Sequence, residues 1–202
     1  REFLIVLGLA DEFSAEMAKF ITENEDTKQL LSAMTRQNAF ISRLADGGTY
    51  RFHHMMKECA EQAFAAMDKE KQTVYLERYG KWYEEHRQYL HALASYRKSG
   101  NFDGALRVIQ KDAGILLASL KAEDVLNFLS KCPKEDLEAY PLSVLVLMRC
   151  MFNWRKIPEM LKLKEFLIQA IDRHKEIPEE ERGNLLGECD LITSFLMYND
   201  IS

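Results

Sequence analysis

The chain has 202 residues, 47% of them hydrophobic and 29% charged, an ordinary globular balance with enough length for one or two domains with a real core. A formal net charge of −5 argues against nucleic-acid binding by this segment alone, because neutralising phosphates needs a basic surface. No apolar run approaches the length of a membrane span, and no signal peptide is visible.

Glu2 to Leu9 is an apolar run expected to form a short helix or the end of one. Ser14 is a good N-cap for a helix over Ala15 to Thr22, with Met17, Ala18 and Ile21 inward. Asp26 is expected to cap Thr27 to Arg36, with Leu30, Leu31 and Met34 inward. Phe40, Ile41 and Leu44 then form an apolar strand, and Asp46-Gly47-Gly48 reads as a tight hairpin turn, since Gly accepts positive φ. Tyr50 and Phe52 alternate with Arg51 and His53, the period of a half-buried strand. At Met56 the period changes to that of a helix, with Cys59, Ala60, Ala63, Phe64 and Met67 on its apolar face. Two helices, a two-stranded hairpin and an exit helix through His53-His54 make a winged-helix pattern.

Residues 68–71 are a polar break and the expected domain boundary. Beyond it Val74, Tyr75, Arg78, Tyr79 and Trp82 share one helical face ending at His86, and Tyr89, Ala92, Leu93 and Tyr96 share the next. Gly100 has the place of a left-handed residue after a helix end, and Asn101 or Asp103 opens another helix. Further helices are expected over Ala122 to Cys132, over Leu142 to Phe152 after Pro141, after Pro158, and after Pro178. The Leu142 to Phe152 segment is so apolar that it should be buried on every side. Short helices with tight connections predict stacked helical hairpins.

Catalytic signatures are absent from the sequence: no GxxxxGK[ST], no HExxH and no GxSxG. Cys59, Cys132, Cys150 and Cys189 are too far apart for a zinc ribbon. Cys59 and Cys189 fall on apolar helical faces, and all four fit reduced thiols in a cytoplasmic compartment. We therefore expect no enzyme activity, catalytic residue, metal site or bound cofactor in this segment. The chain starts at Arg1 without an initiator Met and stops at Ile201-Ser202 just past a helical pattern, so it is expected to be a piece of a longer protein.

The stretch YRFHHMMKECAEQAF from Tyr50 resembles the end of the winged helix in signal-transduction ATPases, specifically the MalT-like regulators of the LuxR family. Tyr50, Arg51, Phe52 and His53 match that family's run of aromatic, basic or polar, aromatic, His. Phe3-Leu4 and ADEFSAEMA from Ala10 to Ala18 resemble its opening helices. Leu30-Leu31, Asn38 and Phe40 resemble its segment before the first wing strand. The run from Tyr89 through Gly100-Asn101-Phe102-Asp103 to Ala105-Leu106 is similar to the tetratricopeptide-like arm that follows.

The resemblance implies a mainly α fold, with a winged-helix domain over residues 1–68 and a helical-repeat arm over 69–202. It implies a regulatory fragment that couples nucleotide state, and an inducer or regulatory protein on the arm, to transcription activation. ATP or ADP would bind a nucleotide-binding domain elsewhere in the same chain, and DNA would be bound by another domain. The alternative is a stand-alone helical-repeat scaffold for protein interactions. His53 matches the His that, in nucleotide-switch ATPases of this broad class, contacts the β-phosphate of ADP. His54 stands where the related Met-His-Asp motif has Asp. On the residues alone, the favoured reading is that one of the two His is half-buried at the strand end and the other exposed. The aromatic set Tyr75, Tyr79, Trp82, Tyr83, Tyr89 and Tyr96 reads either as core between helices or as a groove for an inducer, with Tyr83 as its exposed member. Trp154-Arg155-Lys156 is either a recognition patch or a helix end.

Overall fold

The computed structural model describes residues 1–37 and 40–199, with side chains described through residue 196. Asn38 and the terminal Ile201-Ser202, both used in the sequence reading, lie outside the described residues. The chain divides into two compact units, Arg1–Gly100 and Asn101–Ser202.

The first unit runs α1 (Glu2–Leu7), β1 (Phe13–Ser14), α2 (Ala15–Thr22), α3 (Thr27–Arg36), β2 (Ile41–Arg43), β3 (Thr49–Phe52), α4 (His54–Ala65), α5 (Lys69–Glu85) and α6 (Tyr89–Ser99). Ser14 caps α2 as expected, its hydroxyl accepting from the Met17 N–H at 3.0 Å. Asp26 makes no such bond. Asn24 orders that turn instead, accepting from the Asp26 N–H through its side chain and from the Thr27 hydroxyl through its carbonyl.

The sheet has three strands, one more than the hairpin anticipated, in the antiparallel order β1-β3-β2. Phe13 pairs with Tyr50, and Ile41 with Phe52. Ser14 must be extended to cap α2, and that same extended backbone places Phe13 and Ser14 beside β3. The Phe13 ring lies 5.9 Å from Tyr50 and 5.4 Å from Phe52, which closes the core of the winged helix with Val6, Ile21 and Leu31.

β2 begins at Ile41 rather than at Phe40, which has φ +69° and is half exposed. The β2–β3 connection is wider than a two-residue turn, closed by Leu44 N–H to Thr49 O at 2.8 Å. Asp46 organises it, accepting from the Gly48 and Thr49 N–H groups and from the Thr49 hydroxyl, while Gly47 takes φ +69°. α1 and α4 approach so closely that a Cβ at Gly8 would come within 2.2 Å of the Ala60 Cβ.

Asp68 caps α5, accepting from the Glu70 and Lys71 N–H groups. α5 then packs onto the winged helix. The Tyr79 hydroxyl donates to Val6 O at 2.9 Å, and the Arg78 guanidinium donates to Ile21 O and to Glu23. α6 folds back on α5, with the Tyr96 ring over Gly80 and the Tyr96 hydroxyl donating to Glu84 at 2.7 Å. α5 and α6 thus share a compact unit with the winged helix, and the division between units follows Gly100, whose φ of +77° ends α6. Of the aromatic set, Tyr79 and Tyr96 are buried core, while Tyr75, Trp82, Tyr83 and Tyr89 are half-buried.

The second unit contains α7 (Phe102–Lys111), a 3-10 helix (Ile115–Ser119), α8 (Ala122–Lys131), α9 (Lys134–Ala139), α10 (Pro141–Asn153), α11 (Ile157–Arg173) and α12 (Glu179–Asn199). α10 is central, packed by α7, α9, α11 and α12. Val144 to Met148 and Met151 are buried, and the buried Ser143 hydroxyl donates to Leu106 O at 2.7 Å. It is not buried on every side. Leu142 is exposed, Arg149 reaches out to pair with Glu188 at 2.6 Å, and Phe152 is half-buried against Phe195. Trp154-Arg155-Lys156 is the turn ending α10, with Arg155 at φ +56°. Cys189 is buried, but Cys59 is exposed on α4, because the buried face of that helix turns on Ala60 and Phe64.

Candidate functional site at the strand-to-helix joint

The joint between β3 and α4 is held by the backbone. Tyr50 and Phe52 point into the core, so the alternation of the strand sends Arg51 and His53 outward. The His53 N–H donates to Phe40 O at 2.9 Å, and the His53 carbonyl accepts from the Met56 and Lys57 N–H groups at 2.9 and 3.1 Å. His53 is the N-cap of α4 with φ −63° and ψ 144°, and its side chain makes no capping bond. The imidazole is exposed and has no hydrogen-bond partner among the described residues. Main-chain bonds therefore fix the His53 backbone, while both ring nitrogens remain available.

His54 opens α4 and is also exposed, with Nδ1 3.5 Å from Glu58 one turn on. Neither His is half-buried, in contrast to one of the two sequence readings. His54, not His53, lines a groove of about 660 Å³ beside the joint. Arg51 pairs with Glu12 across this groove, and Lys57 pairs with Asp11. The Lys57 contact holds the Asp11 carboxyl below the usual carboxylate range, chiefly through its hydrogen bond and secondly through its charge.

This arrangement constrains the chemistry. The two cations that line the groove, Arg51 and Lys57, are already paired with carboxylates, so the groove is not an open phosphate cradle. An approaching phosphate would meet His53 as a free donor, and could recruit Arg51 or Lys57 only by displacing Glu12 or Asp11. Sequence reasoning singled out His53 but missed these ion pairs. The signal was the acidic doublet Asp11-Glu12 immediately before Phe13, legible only once Phe13 is known to pair with Tyr50.

Among the described residues no group of three or more His, Cys, Asp or Glu side chains is placed to hold a metal ion. No helix among them is long and apolar enough to cross a membrane.

Comparison with known proteins gives one family: residues 1–73 match the MalT winged helix domain. No curated protein matches the chain, and no solved structure does. The matched span takes in the three-stranded sheet, the His53 joint, all of α4 and the first turn of α5. Residues 1–73 of this chain are thus similar to the MalT winged helix domain.

Proposed function

We propose that the chain is the regulatory middle of an ATP-dependent transcriptional regulator of the MalT-like LuxR type, in which the winged helix reports the nucleotide state of a nucleotide-binding domain in the same protein. The observation that carries this reading is the free His53 imidazole at a main-chain-fixed joint in a winged helix of the MalT family. A donor on a backbone held in place, with no internal partner, is suited to a phosphate that arrives from another module. In the resting state His53 donates to the β-phosphate of ADP and holds the modules docked. Exchange for ATP removes the geometry that favours docking, and the equilibrium shifts because the contact belongs to one state only.

The helices from residue 69 onward serve as the arm on which an inducer or regulatory protein acts, and we place the functional boundary at residues 68–71 for that reason. In this reading the protein is cytoplasmic, and this segment neither contacts DNA nor hydrolyses ATP by itself. The rival is a helical-repeat scaffold without a nucleotide switch. A parent gene that encodes a phosphate-binding GxxxxGK[ST] loop upstream and a helix-turn-helix downstream supports the switch. A complete gene lacking both supports the scaffold. The biochemical test is ADP retention by the whole protein with and without the His53 imidazole.

A further inference from the structure

Where α4, α5 and α6 meet, the first unit contains a cavity of about 590 Å³. That volume suits a small molecule, and such sites combine apolar walls with a few convergent polar groups. The floor is apolar, formed by Phe64 of α4 and by Leu76 and the Tyr79 ring of α5, all buried. Two polar neighbours are already committed. The Tyr79 hydroxyl donates to Val6 O, and the Gln72 amide donates to the carbonyls of Ala65 and Met67.

Other polar groups are not. Ser95 on α6 is 8% exposed, yet its hydroxyl makes no hydrogen bond among the described residues, not even to the carbonyl one turn back. No side-chain polar atom among the described residues is both sealed and unsatisfied, so this hydroxyl opens into the cavity it lines. Tyr83 is half-buried between the rings of Tyr79 and His91, and its hydroxyl also makes no hydrogen bond among the described residues. Burial, and secondly the charge of Asp11, push the Tyr83 phenol up to about 12, so it keeps its proton at neutral pH and serves as a donor. Lys98, one turn beyond Ser95 on the same helical face, forms no ion pair among the described residues.

Two hydroxyl donors and one cation therefore line the cavity from α5 and α6, and the one carboxylate felt by Tyr83, that of Asp11, is already paired with Lys57. The opposite lip, on α4, carries the carboxylate of Glu61, which forms no ion pair among the described residues and repels a second anion there. The geometry points to a binding site for a small monocarboxylic acid with an apolar body, its carboxylate held by Ser95, Tyr83 and Lys98 and its body laid on Phe64 and Leu76. Occupation ties α6 to α4, so such an acid acts where the winged helix meets the first helices after it. This inference does not depend on the nucleotide switch.

The test uses the 202-residue chain with phenylacetate and octanoate as probes and their neutral amides as controls, followed by two-dimensional amide NMR. Saturable shifts are expected along α4 to α6 with dissociation constants of about a few millimolar or lower, as befits such small ligands. The amides should bind about tenfold more weakly, and Lys98→Met, Ser95→Ala and Tyr83→Phe should each weaken the acids about fivefold or more. Lys98 is exposed, so Lys98→Met carries the test if the Ser95 variant melts early. The inference is overturned if neither acid saturates by about 20 mM, if acid and amide bind alike, or if Lys98→Met binds as wild type.

Discussion

Replacing Gly80 with Ala should destabilise the first unit, although the same change in an open helix stabilises. Ala is favoured over Gly in a helix interior by about 1 kcal/mol. At Gly80, however, a Cβ would lie 2.5, 2.7 and 2.9 Å from three carbons of the Tyr96 ring. Restoring ordinary contact requires the ring to retreat by about 1 Å. Tyr96 is 3% exposed, so there is no open space to receive it, and overpacking of this kind costs about 1–3 kcal/mol. The retreat also draws the Tyr96 hydroxyl away from the buried Glu84 carboxylate, a bond worth about 1.5–3 kcal/mol. After the helix propensity gain, a net loss of about 2–4 kcal/mol is expected. Gly183→Ala in α12 is the control: nothing lies near its added Cβ, and it should gain about 0.5–1 kcal/mol. Urea unfolding in a Trp154→Phe background reads the first unit through Trp82 alone, since the chain has two Trp. If Gly80→Ala were as stable as wild type, the close α5–α6 packing, and with it the shape of the cavity between them, would be refuted.

Three further outcomes follow from the packing and electrostatics. Leu145→Ala should cost about 2–5 kcal/mol, because Leu145 is 1% exposed at the centre of α10; an unchanged melt would show that α10 is not the core of the second unit. Asp46 is held below the usual aspartate range first by the Thr49 hydroxyl, then by the Thr49 and Gly48 N–H groups. A depressed folded value means that its support of the β2–β3 turn is complete above the ordinary aspartate value of about 3.9 and fades as pH falls through the folded value. Amide shifts of Gly48 and Thr49 should titrate in that acid window and cease to do so in Asp46→Asn. Finally, a thiol reagent should label exposed Cys59 rapidly in the folded chain. Cys132, pushed up to about 12 by burial and then by Asp136, and buried Cys189 should label only on unfolding.

The elements with their own local chemistry were legible in the sequence. Ser14 announces α2, Gly100 ends α6, and the prolines at 141, 158 and 178 stand at the starts of α10, α11 and α12. β1 was not legible, because two residues are too few to display a period, and its pairing with β3 depends on a residue 37 positions away. The exposed side of α10 was missed for a related reason. Arg149 is a single charge in an apolar run, and its exit toward Glu188 exists only once α12 is in place. Cys59 misled because its neighbours Ala60 and Phe64 carry the buried face. The outward direction of His53, by contrast, was available all along: if Tyr50 and Phe52 face the core, Arg51 and His53 cannot. The cavity beside Ser95 could not be read from any one segment, since three helices build it.

The ADP off-rate of the whole regulator tests the proposed nucleotide-sensing role of His53. A hydrogen bond from imidazole to a charged phosphate contributes about 1.5–3 kcal/mol, which corresponds to a change of roughly tenfold to a hundredfold. His53→Ala should therefore speed ADP release by about that factor and raise inducer-independent transcription, at matched concentrations of folded protein. The fold should tolerate the change, because the side chain is exposed and the joint is held by the main chain. His54→Ala should have a smaller effect, since its imidazole faces Glu58 and the neighbouring groove. Equal ADP off-rates for wild type and His53→Ala would contradict the sensor role and leave His53 as a solvent-facing helix cap.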